Sequence, residues 1–75
     1  LSPRERSKAL TKARDAAEKA ESAVNVAEAR LTEIETALAS GSGDLIALAA
    51  EHTAQREQVD MAVTAWEEAV RAVEE

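Results

Sequence analysis

Six cations crowd the start of the chain: Arg4, Arg6, Lys8, Lys12, Arg14 and Lys19, set against only Glu5, Asp15 and Glu18 in the same stretch. Guanidinium and ammonium groups at this density can neutralise phosphate oxygens without reading bases, which is the chemistry of backbone contact with nucleic acid. The remainder is opposite in sign. Residues 20–75 carry Arg30, Arg56 and Arg71 against twelve acids, and the whole chain has a formal charge of −6. An acidic chain with a cationic start is a poor wrapper of nucleic acid. Local phosphate contact by those six side chains is the chemistry left to it.

Catalysis finds few parts. The one histidine, His52, stands in Glu51-His52-Thr53-Ala54-Gln55-Arg56, without a second His one turn on to complete a metal pair, and the chain has no cysteine. Carboxylates are plentiful, but the pattern builds no cleft that would make acid–base partners of them. The expectation is a segment that is not an enzyme, with no cofactor and no metal of its own. No apolar run approaches the roughly 20 residues that span a bilayer.

The elements that must hold these side chains follow from apolar spacing. Leu10, Ala13, Ala17, Ala20, Val24, Ala27, Leu31, Ile34 and Leu38 recur at alternating intervals of three and four, the heptad seam of a coiled coil. After Ser40-Gly41-Ser42-Gly43 a second series runs Leu45, Ala49, His52, Arg56, Val59, Val63, Trp66, Val70, Val73, with the same alternation. Two helices with matched seams and a short link must fold back on each other. The expected fold is all-α: a two-helix antiparallel coiled-coil hairpin, with helix one over about 3–39, a loop at 40–43 and helix two over about 44–75. One register closes every layer, setting Leu38 opposite Leu45, Leu31 opposite His52, Ala27 opposite Arg56, Ala17 opposite Trp66 and Leu10 opposite Val73. Ser2-Pro3-Arg4-Glu5 reads as a capping box with Pro at the first helical position, Gly41 as the helix stop, and Asp44 as the second N-cap.

Two seam positions are polar. His52 and Arg56 read either as a pH-responsive or contact pair, or as a polar layer that sets register at some cost in stability. The cationic start also has a purely structural reading, because fold-back sets it beside Glu67, Glu68, Glu74 and Glu75, with Arg14 opposite Glu67. A further row of small residues, Ala9, Ala16, Ala23 and Ala37 with Leu48, Ala62 and Ala69, lies on one flank. It serves either as helix-favouring filler or as a close-approach surface for another helix. With 18 alanines among 75 residues, the hairpin has little bulk for a core and gains from docking or self-association.

The opening Leu1-Ser2-Pro3-Arg4-Glu5-Arg6 is similar to the Leu-Ser-Tyr-Lys-Glu type of start in the C-terminal domain of ABC-F ATPases, particularly the Uup type. Asp44-Leu45-Ile46-Ala47-Leu48 resembles the acidic-Leu-x-Ala-Leu start of that domain's second helix, and Trp66-Glu67 resembles the Arg-Trp-Glu near its end. Pro3 stands where the family usually has an aromatic, and Ala65 where Arg often precedes the Trp. The resemblance implies a fragment of a larger cytoplasmic protein whose ATPase domains bind ATP and magnesium. It implies a non-catalytic accessory domain that assists binding to DNA or to structured RNA such as the ribosome; the charge pattern makes Arg4, Arg6, Lys8, Lys12, Arg14 and Lys19 the expected phosphate contacts. The alternative is a protein-interaction or spacer hairpin that docks on its own ATPase core or forms a homodimer.

Overall fold

A computed structural model describes residues 2–75 as two helices, α1 (Pro3–Ser40) and α2 (Leu45–Glu74), packed antiparallel. Leu1, the first residue of the family-like opening, lies outside the described residues. The rod measures 59 × 13 × 13 Å between Cα extremes; the 38-residue α1 runs its full length, whereas the 30-residue α2, about 45 Å long at 1.5 Å per residue, falls short of it.

Local chemistry sets each end. Ser2 caps α1 by accepting the Glu5 amide on its Oγ at 3.2 Å, and Pro3 fills the first helical position, where a missing N–H costs nothing. Gly41 ends α1 at φ +69°, a left-handed conformation that strains any residue with a Cβ. Its amide donates to the Leu38 carbonyl at 3.2 Å and the Ser42 amide to the Ala37 carbonyl at 3.3 Å, the paired bonds of a Schellman stop. Asp44 then caps α2, one carboxylate oxygen accepting the Ile46 and Ala47 amides at 3.1 Å each. The link is therefore 41–44: Ser40 completes the first helix, and Asp44 stands just outside the second.

On α1 all nine seam residues are withdrawn from solvent, with Ile34 fully buried at 3% exposure and the other eight half-buried. On α2 the seam differs from the expected one. His52, Val59, Trp66 and Val73 hold their places, but the residues that alternate with them are Leu48, Gln55, Ala62 and Ala69. Ala49 and Arg56 are exposed, and Leu45, expected opposite Leu38, is 48% exposed. Val63 and Val70 flank the seam and are half-buried.

The reason is visible at Gln55, whose side-chain amide donates to the Ala27 carbonyl at 3.0 Å. Ala27 thus meets Gln55 where Arg56 was expected. A neutral amide satisfied by a carbonyl costs less to withdraw from water than a guanidinium with no partner. One turn earlier the same rotation buries Leu48 in preference to the smaller Ala49, which gains apolar area. The Leu10–Val73 pairing holds at the open end, where both residues line one surface with Ala9 and Ala72.

The expected flank of small residues is split by this rotation. Leu48, Ala62 and Ala69 belong to the seam and are half-buried, whereas Ala9, Ala16 and Ala23 stay exposed on α1. Ala37 is half-buried beside the Schellman stop.

Candidate nucleic-acid interface

All six cations singled out in the sequence lie on the first half of α1, and all six are exposed. At about 100° per residue, Arg4, Lys8, Lys12 and Lys19 fall within an arc of about 80°, roughly opposite the seam of Leu10, Ala13, Ala17 and Ala20. They form a ridge along the outer edge of α1, which α2 backs only from about Ala9 onward because it ends at Glu74. Arg4, Lys8 and Lys12 share one open surface with Ser7, Thr11 and Asp15. Asp15 lies on that line, and Glu5 and Glu18, whole heptads away from Lys12 and Arg4, border it. The ridge is about 22 Å long at 1.5 Å per residue. Beyond Lys19 the same arc continues through Ser22, Val26, Arg30 and Glu33.

The other two cations are placed elsewhere. Arg6 lies on the seam side, where it lines a surface with Leu10, Val73, Glu74 and Glu75. Arg14 projects from a flank of the seam, a quarter turn from the ridge. The structure therefore brings four of the six residues together and separates two. The signal for this division was in the sequence, since counting arcs from the seam positions yields it directly.

Ion pairing does not consume the ridge. The ion pairs of the described residues are Arg30–Glu33 at 3.0 Å, Arg30–Glu51 at 3.8 Å and His52–Glu35 at 3.2 Å. All three sit in the half of the rod near the turn. The expected Arg14–Glu67 pair is not among them, because the rotated seam turns Glu67 to solvent beside Trp66. Fold-back brings the acidic end of α2 alongside the cationic start of α1, with Arg6, Glu74 and Glu75 on one surface but no ion pair within 4.0 Å among the described residues.

His52 is a cross-helix group. Its Nε2 lies 3.2 Å from a carboxylate oxygen of Glu35, and its side chain keeps 24% of its exposure. With Gln55 one turn on, it forms the polar part of the seam, a role the sequence had given to His52 with Arg56. Among the described residues no group of three or more His, Cys, Asp or Glu side chains is placed to hold a metal ion. No helix among them is long and apolar enough to cross a membrane.

Comparison with known proteins adds no relative: no family model, no curated protein and no solved structure matches the chain.

Proposed function

We propose that the hairpin is a non-catalytic accessory module that contacts the phosphate backbone of nucleic acid through the α1 ridge. One observation carries the reading: Arg4, Lys8, Lys12 and Lys19 stand exposed on one outward line, and no carboxylate of the described residues lies within 4.0 Å of them. Cations held in a row without partners are available to phosphates at little desolvation cost. Such contacts position a duplex or strand without reading its sequence. Arg6 and Arg14 contribute long-range field only. The resemblance to the tail of ABC-F ATPases supplies the setting, a domain attached to ATPase domains that supply the ATP chemistry.

The test is fluorescence anisotropy of the hairpin with a labelled duplex over a range of salt. Four phosphate contacts at about 0.9 each imply a log–log slope of roughly −3 to −4. A slope in that range with no preference among sequences supports the reading. Absence of binding at the lowest salt overturns it.

A second reading, a protein-interaction or spacer hairpin, is favoured by a different face. Ala9, Ala16 and Ala23 of α1 and Ala65 and Ala72 of α2 are all exposed, on one side of the rod. Sedimentation equilibrium separates the two readings. A dimer that Ala23→Glu converts to monomer favours the second.

A further inference from the structure

From the side of the rod marked by the Arg30–Glu51 pair we infer that the hairpin binds a second copy of itself along that side, with both turns at the same end; this rests on the protein-interaction reading and not on the ridge. Two contacts define the side. Ala9 and Ala72 line one surface at the open end, and Arg30 reaches Glu51 at 3.8 Å nearer the turn. Heptad steps join them. On α1 the row passes from Ala9 through Ala16 and Ala23 to Arg30, and on α2 from Ala72 through Ala65 and Gln58 to Glu51. All of these side chains are exposed.

Small residues alone mark no interface. The shoulders beside them do, because Val26 and Met61, 70% and 65% exposed, project on this same side of α1 and α2. Met61 shares one surface with Ala65 and Glu68. The side is two helices wide, about 20 Å, and about 45 Å long, so it offers roughly 900 Å², against about 800 Å² per partner in a specific interface of standard size.

Charge selects the occupant and its direction. A twofold axis along the rod keeps every residue at its own height and lays α1 of one copy on α2 of the other. Ala9 then meets Ala72 of the second copy, and Ala16 meets its Ala65. Lys12 comes to Glu68 of the second copy, Val26 to its Ala54, and Met61 to the aliphatic stem of its Lys19. Arg30 and Glu51 alternate round one layer, so the pair seen within each hairpin closes into a ring with its symmetry mate. Glu5 and Glu75 are the one like-charge approach along these rows, at the open end where α2 has already ended. With the turns at opposite ends and the rods centred on Ala23, α1 lies on α1. Lys12 still finds a carboxylate there, Glu33, but Arg30 is set on Ala16 and Glu51 on Ala65. Two ions per copy then enter alanine layers without a partner from the other copy, and their desolvation opposes that arrangement.

Sedimentation equilibrium measures the dimer constant, and spin labels on Ser42→Cys, a unique thiol in a chain without cysteine, measure its direction. The expected result is a dimer whose labels lie roughly 20 Å apart, about two helix diameters. Lys12→Glu should weaken the dimer about tenfold, and adding Glu68→Lys should restore it, whereas Glu33→Lys, which restores the same net charge, should not. A dimer whose labels stand nearly the 59 Å length of the rod apart, or one rescued by Glu33→Lys instead, overturns this pairing and leaves the interaction reading standing. A monomer at every concentration overturns both.

Discussion

Gln55 sends its amide across the hairpin to the Ala27 carbonyl at 3.0 Å, while the neighbouring Arg56 lies in solvent. These two residues report the rotation of α2 directly. Gln55→Ala removes a partly buried hydrogen bond and some packing, and should cost about 0.5–1.5 kcal/mol in urea or thermal unfolding. Gln55→Leu replaces the amide with an apolar group of similar size and should be close to neutral or stabilising. Arg56→Ala, on the surface, should stay within about 0.5 kcal/mol of the parent. The reverse pattern, with Arg56 costly and Gln55 silent, would restore the seam expected from apolar spacing.

That pair also shows where sequence reading loses resolution. On α1 the apolar series is unique: shifting Leu10, Val24, Leu31 or Leu38 by one residue puts Thr11, Asn25, Thr32 or Ala39 in the seam. On α2 two series compete, because Ala62 stands beside Val63, Ala69 beside Val70 and Leu48 beside Ala49. Both read as heptads, and only burial against α1 selects between them. The larger valines drew the expectation to the wrong series. Desolvation of Arg56, a cost set by the partner helix, decides against it.

Among the elements, the helix ends were the most legible part, because capping is local chemistry. Ser2, Pro3, Gly41 and Asp44 each do in the structure what their types imply. The turn offers a clean measurement of that chemistry. A Cβ added at Gly41 would meet nothing within 4 Å, so Gly41→Ala should cost only the left-handed backbone strain, about 1–2 kcal/mol. Asp44→Ala should cost about 1 kcal/mol by freeing the Ile46 and Ala47 amides, and Asp44→Asn should cost only a few tenths. Circular dichroism melts of the three variants check the order. A Gly41→Ala variant as stable as the parent would show that the stop does not depend on the left-handed residue.

At the scale of the whole molecule, a thin rod divides its charge by edge. Ile34 is the one buried apolar residue among those described, so the hairpin has a seam but little interior. Such an object has no cleft to concentrate chemistry, and what it presents is length and surface. The candidate site was legible as a list of six cations, and the ridge of four follows once each is placed by its arc from the α1 seam, which apolar spacing already defines.

That grouping is the central claim, and charge reversal at matched net charge tests it. Arg4→Glu with Lys8→Glu, and Arg6→Glu with Arg14→Glu, alter the net charge equally, and matched thermal melts check that the change at Arg6, which lines a surface with Leu10 and Val73, leaves the hairpin folded. Any difference between them in duplex binding therefore reports position alone. In anisotropy titrations at low salt, the ridge pair should weaken binding and lower the salt slope by roughly two contacts' worth, near 1.8. The off-ridge pair should retain most of the parent affinity and its full slope. Equal losses from the two pairs would contradict the ridge, and leave the cationic start acting only through its total charge.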